Sequence, residues 1–428
     1  MQIHIVKSGE TLSSIARNYG VSVTLLQRLN EVPPSGALAV GQTLVVFEKA
    51  RTRVVRPGET LSAIARSEDV SLLTLYQNNI FLRGRSDIEA GEELIVSLGE
   101  EQRGTLGVNG YAYPFIRPAL LQQVLPYMTY LTPFTYGFFP SGQLVVPEDE
   151  EMLRLAPRYG AVPWMHLSTL TERDTFDNAL GSNLLRNVEA QEALINSVEQ
   201  VIEEKGYRGL DVDFEYLDRD LGAAYAAFIT RLTERLNPKG VPVLVALAPK
   251  TSANQQGLLY EAHDYGLLGE AANAVLLMTY EWGYTYGPPM AVSPMPQVRR
   301  VLDYALTEIP REKIFLGVPT YGYDWPIPYE QGRTKAVSVS PNEALRLARQ
   351  YGAEIFYDER AQAPYFRYTT PNGMAHEVWF EDARASLAKF TLAQENGLQG
   401  VGLWNLMRNA PQTYLVLHGA FDIEKLPT

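Results

Sequence analysis

The chain has 428 residues, 46% of them hydrophobic, enough for substantial cores and for roughly two or three domains. Its formal net charge of -12 argues against a nucleic-acid partner, because such affinity rests on Lys and Arg neutralising phosphates. Cysteine is absent and the five histidines never fall in an HxxxH or HxH spacing, so disulfides and thiolate metal sites are excluded and neither a metal nor any other cofactor is expected.

The first residues, MQIHIVKSGETLSSIA, lack both a basic leader and a long apolar core, so neither a cleavable signal peptide nor membrane insertion is expected. Shifting the first part of the chain by 49 positions aligns VKSGETLSSIARNYGVSVTLLQRLN, from Val6, with VRPGETLSAIARSEDVSLLTLYQNN, from Val55, with thirteen of 25 positions identical. The spacing predicts two copies of one unit, over residues 1–48 and 51–98. Each copy reads as a short strand, a turn at Gly9 or Gly58, and a helix whose apolar face is Leu12, Ile15 and Ala16, or Leu61, Ile64 and Ala65. A second helix is expected near Val23 to Leu29, or Leu72 to Asn78. The unit closes on a turn and an alternating strand, GQTLVV or GEELIV.

A βααβ unit carrying SGETLSSIA and a closing GQxLxV resembles the LysM domain. That resemblance implies binding of N-acetylglucosamine-containing glycans such as peptidoglycan or chitin. It places sugar contacts in the loop after the first strand and the loop before the last: Gly9, Glu10, Thr11, Asn30 and Val32 in one copy, Gly58, Glu59, Thr60, Asn79 and Ile80 in the other. At Thr11 and Thr60 a structural reading competes, since a Thr directly before an apolar helical face is also a helix N-cap.

Residues 99–106 are polar, include Gly99 and Gly104, and read as a linker. From Gly107 to residue 428 strand-like runs alternate with helical stretches: GVNGYAYPF, MTYLTPFTYGFF, AVPWMHLS, GLDVDFEY, VPVLVALAPK, NAVLLMTYEW, KIFLGVPTYGYDW and GVGLWNL. Helices are expected between them, for example over Asn187 to Lys205 and Leu221 to Leu236. Eight such repeats predict an α/β fold of the (β/α)8 TIM-barrel type, with functional groups at the C-terminal strand ends. After the seventh run the gap is too long. Residues from about 325 to 382 contain their own helix near Asn342 to Tyr351, three alternating runs and a PNG turn at Pro371 to Gly373, so a small α+β insertion is expected there.

The fourth run, Gly209-Leu210-Asp211-Val212-Asp213-Phe214-Glu215, sets three acids at alternate positions. On a strand Asp211, Asp213 and Glu215 share one face, and Leu210, Val212 and Phe214 share the other. Crowded, half-buried carboxylates repel, so at least one must hold a proton. A protonated carboxylic acid beside an ionised one is what glycosidic bond cleavage requires.

This DxDxE pattern resembles the catalytic signature of family-18 glycoside hydrolases, the chitinase-like barrels. Met278-Thr279-Tyr280-Glu281 resembles the family's MxYD motif, Trp404 stands where the family has the aromatic floor of its cleavage subsite, and Tyr111 where an aromatic is usual. The resemblance implies that Glu215 is the general acid, Asp213 the support for the substrate's acetamido group, Asp211 a partner sharing a proton with Asp213, and Tyr280 a donor to the acetamido oxygen. Met278, Glu281, Trp404 and Tyr111 would contact substrate. Three departures stand out. Arg208 replaces an acid that often opens a longer motif, the run MHLSTL lacks the SxGG of true chitinases, and Glu281 replaces Asp, either reaching the sugar differently or pairing with an Arg.

Two N-terminal LysM units on such a barrel resemble the spore cortex-lytic N-acetylglucosaminidases of endospore-forming bacteria. The implied function is retaining, substrate-assisted cleavage of β-1,4 bonds after N-acetylglucosamine in peptidoglycan, by a monomer located at the spore coat or cortex. A chitinase acting on chitin oligomers and a non-catalytic glycan-binding coat protein are the alternatives.

Overall fold

The computed structural model describes residues 1–171, 175 and 177–426. Eight parallel strands form the central barrel: Thr105–Ala112, Tyr130–Pro133, Val162–Pro163 continued by Met165–Ser168, Leu210–Asp213, Val243–Leu247, Ala274–Leu277, Ile314–Pro319 and Gly400–Trp404. The third strand is broken at Trp164. Its first half pairs with the second strand and its second half with the fourth, and the eighth strand returns to the first, so the sheet closes on itself. The expected TIM barrel is therefore present.

The runs form a barrel because both faces of each strand are covered. Leu210, Val212 and Phe214 are fully buried under the surrounding helices, and the Phe214 ring stacks near Tyr225 and Phe228 of helix Gly222–Leu236. Helix Val188–Lys205 begins at Asn187, whose side chain accepts from Ala190 N, and ends at Gly206 in the left-handed conformation. It buries Ala190, Leu194, Ile195, Val198 and Ile202, the three-and-four spacing of one helical face. Register then sets the rim: Ser168 lies opposite Asp213 and Trp404 opposite Tyr111.

The barrel starts at Thr105, two residues inside the expected linker, and the linker is not loose. Arg103 N donates to Ala420 O at 2.7 Å, and Gln102 Nε2 to the carbonyls of His418 and Phe421. The insertion likewise begins earlier than expected, at Gly322, because the chain leaves the seventh barrel strand directly into strand Gly322–Ile327. That strand joins a five-stranded antiparallel sheet. Helix Pro341–Tyr351 covers the sheet through Ala344, Leu345 and Ala348.

Both N-terminal units are βααβ: Gln2–Ile5, Leu12–Tyr19, Val23–Leu29 and Thr43–Val46, then Arg51–Val54, Leu61–Glu68, Leu72–Asn78 and Glu93–Ser97. They are packed onto the barrel. Leu25, Leu29 and Phe47 of the first unit and Leu75 and Tyr76 of the second share one continuous apolar core with barrel residues Leu121, Tyr127 and Tyr414. Gly41 shows how close the approach is: a Cβ there would lie 1.9 Å from the carbonyl oxygen of Ile355 in the insertion.

Candidate active site

The three acids line up where the alternation puts them. Asp211 and Asp213 lie on the fourth strand, and Glu215 follows just past its end, with Asp211 fully buried and Asp213 and Glu215 progressively nearer the mouth. Burial raises all three. Asp211 is pushed up to about 7, partly offset by the hydroxyl of Tyr111, which donates to its Oδ2 at 2.6 Å. Asp213 is pushed well above the carboxylate range by burial and then by the charges of Glu215 and Asp211. Glu215 is pushed up to about 7 by burial. Removing these groups from water disfavours their charged forms, so protons are retained in the column near neutral pH.

Asp213 and Glu215 open into a cleft of about 730 Å³ at the C-terminal rim, lined also by Tyr111, His166, Met278, Tyr280 and Trp404. Trp404, at the end of the eighth strand, is held by the rings of Phe134 at 4.9 Å and Tyr111 at 6.0 Å, and lies nearly parallel to Tyr280 at 6.5 Å. Gly317 makes room for this arrangement, since a Cβ there would sit 2.8 Å from the Tyr280 ring. Two non-glycine residues in the left-handed region flank the chemistry, Tyr216 (φ 54) after Glu215 and Glu281 (φ 65) after Tyr280. Such backbone costs about 1–3 kcal/mol and persists only where the surroundings enforce it.

The arrangement offers a buried column of acids able to hold a proton, below an aromatic floor that suits the apolar face of a pyranose ring. Residues 175–409 match the sequence profile of Glycosyl hydrolases family 18, and residues 4–47 and 54–97 match the LysM domain. The chain belongs to glycosyl hydrolase family 18. It is 40% identical over 440 residues to the cortical fragment-lytic enzyme of Bacillus subtilis (strain 168), covering 99% of both chains. The cortical fragment-lytic enzyme of Bacillus anthracis is 34% identical over 436 residues, again covering 99% of both. The crystal structure of the Bacillus megaterium QM B1551 spore cortex-lytic enzyme SleL superposes with a TM-score of 0.84 and 36% identity, over 100% of this chain and 99% of that one. As a family 18 member the protein is a glycoside hydrolase.

Among the described residues, Glu281, the departure from the family 18 MxYD motif, pairs with no Arg. Its carboxylate accepts from the hydroxyls of Tyr321 and Tyr323, both buried at the start of the insertion, while Glu281 itself stays exposed at the cleft rim. The extra methylene thus reaches sideways to the insertion wall. Tyr111, expected to contact substrate, does line the cleft, but its hydroxyl is committed to Asp211. His166 was not singled out by motif. Its signal was positional, because His166 and Ser168 alternate on the third strand and so share the face that points into the barrel.

In the LysM units the side chains of four of the expected sugar contacts are buried. Asn30 is 2% exposed, donates to the carbonyls of Leu26 and Val45 and accepts from Val45 N at 2.7 Å; Asn79, fully buried, repeats this with Leu75 and Ile95. Each asparagine staples the second helix of its unit to the closing strand. Val32 and Ile80 are core residues, at 6% and 1% exposure. These four side chains are spent on holding each unit together. Thr11 and Thr60 are N-caps, accepting from Ser14 N and Ala63 N, and Glu10 and Glu59 accept from the backbone N–H of Lys7 and Arg56. Gly9 and Gly58 turn the chain at φ 83 and 80 and remain exposed with those threonines.

Proposed function

We propose that the protein hydrolyses the β-1,4 bonds that follow N-acetylglucosamine in spore cortex peptidoglycan, with retention, and that it acts at the spore. The carrying observation is the acid column opening under Trp404, with Glu215 at the mouth holding a proton near pH 7. Full-length relatives named as cortical fragment-lytic enzymes, and two LysM units on the same chain, support the choice of glycan.

In this reading the sugar lies over Trp404 with its acetamido group directed at Asp213 and Tyr280. Glu215 gives its proton to the bridging oxygen as the acetamido carbonyl oxygen attacks the anomeric carbon, so the C–O bond to the leaving sugar breaks while an oxazolinium ring forms. The positive charge that develops on the acetamido nitrogen is stabilised by Asp213, and Tyr280 donates to the acetamido oxygen. Glu215, now ionised, takes a proton from water as that water opens the ring from the same face the leaving group departed. Two inversions give net retention.

The test is digestion of purified cortex peptidoglycan and of chitin oligomers by the wild type and by Glu215→Gln, read by mass spectrometry of reduced products. Fragments ending in reduced N-acetylglucosamine from cortex, absent with Glu215→Gln, support the proposal. Products from chitin alone would make the protein a chitinase, and products from neither would make it a binding protein.

A further inference from the structure

His166 is an inward-facing histidine of the third strand, 1% exposed, and lines the cleft beside the acids. Its Nδ1 lies 2.6 Å from Thr135 Oγ1, and its Nε2 points at Asp213 Oδ2, 3.8 Å away. Across the sheet its backbone is in register with Asp211. The other titratable group packed on it is Tyr111, whose ring lies 6.0 Å away edge-on and is itself bonded to Asp211; Phe134 covers the imidazole at 4.5 Å. The charge of Glu215 bears on Asp213.

We propose that His166 is a positioning residue for Asp213, a neutral imidazole that turns its Nε2 lone pair or its Nε2–H toward that carboxyl as the carboxyl gains or loses its proton. The inference rests on the glycosidase reading above. Its basis is the hydroxyl of Thr135, which has one hydrogen and several partners. Besides Nδ1, Thr135 Oγ1 lies 2.9 Å from Ser168 Oγ and 3.0 Å from the carbonyl of Tyr136. In one arrangement Thr135 donates to Nδ1 rather than to Ser168 Oγ, and Nε2–H faces an ionised Asp213. In the other, Nδ1–H donates to Thr135, whose hydrogen turns to the Tyr136 carbonyl, and the Nε2 lone pair faces a protonated Asp213. Both keep Nδ1 bonded to Thr135 and turn toward Asp213, across 3.8 Å, the face of Nε2 that suits its protonation state; Asp213 Oδ1 is itself buried without a hydrogen-bond partner among the described residues.

The ring stays uncharged throughout because burial holds its pKa down, to about 3. The two arrangements are not equal in strength. An N–H facing an anion across 3.8 Å is attracted more strongly than a lone pair facing a neutral carboxyl, so His166 favours the ionised Asp213 that an oxazolinium ion requires. It therefore acts through Asp213 and touches no reacting atom.

Two measurements test this. In the wild type, 15N chemical shifts of the His166 ring should pass from the Nδ1–H to the Nε2–H tautomer as pH rises, following the titration of the acid column, without passing through imidazolium. Shifts that hold constant across pH 4 to 9, or that show a charged ring, overturn the proposal whether or not the protein cleaves cortex. In His166→Phe, which keeps the ring against Phe134, kcat on cortex fragments should fall about tenfold to a hundredfold with KM little changed, and the acid limb should move up by about half a unit to one unit. His166→Gln, which keeps a donor, should recover part of both effects. Profiles that superimpose on the wild type, in variants with wild-type melting curves, overturn it; a variant that fails to fold leaves the tautomer titration to decide. Loss of all wild-type hydrolysis would instead count against the function proposed above.

Discussion

Tyr111 donates its hydroxyl to Asp211 Oδ2 at 2.6 Å, tying the first barrel strand to the fourth at the base of the acid column. This bond pulls the Asp211 pKa down against the larger effect of burial. Without it Asp211 would rise further and keep its proton more firmly, leaving less negative charge beneath Asp213. Tyr111→Phe, which deletes only the hydroxyl, should lower kcat by about tenfold to a hundredfold, the worth of one hydrogen bond to a charged group. KM should change little. Steady-state kinetics on cortex fragments checks this, and an unchanged kcat would show that Asp211 takes no part.

The pH profile follows from the raised pKa values. Because Glu215 holds its proton up to about 7, activity should decline above that pH rather than near the ordinary carboxylate range. Asp213 and Glu215 interact, so both limbs of the bell belong to the pair and not to one residue each. Initial rates from pH 4 to 9 test this. An alkaline limb below pH 6 would contradict the burial of Glu215.

Much of this centre was legible in the chain itself. Asp211, Asp213 and Glu215 could be placed on one face because strand alternation is a local rule, and the helix around Leu194 and Val198 because its period is local too. The tyrosines on Glu281 were not legible: Tyr321 and Tyr323 lie about 40 residues on, and only the path of the chain into the insertion brings them back. His166 was hidden for another reason: alternation puts it inside the barrel, but nothing local to the third strand says that Thr135 and Asp213 meet it there. The burial of Asn30 and Asn79 was not legible either, because the three bonds each makes to its unit's own backbone depend on the closing strand 15 or 16 residues on.

The acid column should cost stability. Glu215 binds its proton more tightly folded than unfolded, so between about pH 4.5 and 7 unfolding releases a proton and stability falls as pH rises. Above 7 the full penalty applies, at most about 3 kcal/mol for a shift of this size. Glu215→Gln carries no such charge. Its melting temperature should exceed that of the wild type by several degrees at pH 8 and by much less at pH 4. Equal differences at both values would mean that Glu215 is not buried as described.

Glu31 binds the LysM pair to the barrel. Its carboxylate accepts from Asn342 Nδ2 in the insertion at 2.7 Å, from Gln123 Nε2 of the barrel at 3.1 Å and from Asn409 Nδ2, with Arg83 of the second LysM unit 3.7 Å away. Four parts of the chain meet on one side chain, and the backbone accepts φ 47 at a non-glycine residue to place it there. Nearby, Gln412 bonds Thr43 and Asn30, and Gln77 and Tyr127 bridge the second unit to the barrel. The units therefore present their exposed turns from a fixed platform rather than from a flexible tether. Glu31→Ala would leave several amide donors without their acceptor and should lower the unfolding free energy by about 2 kcal/mol. Hydrogen exchange should quicken over residues 30–42 and in the facing segment near Ile355, while the strand carrying Asp211 and Asp213 stays protected. If exchange rose only within the first LysM unit and the denaturation midpoint held, the contact would be peripheral. A midpoint shift with coupled exchange across the interface would establish that glycan-binding units and catalytic barrel unfold as one body.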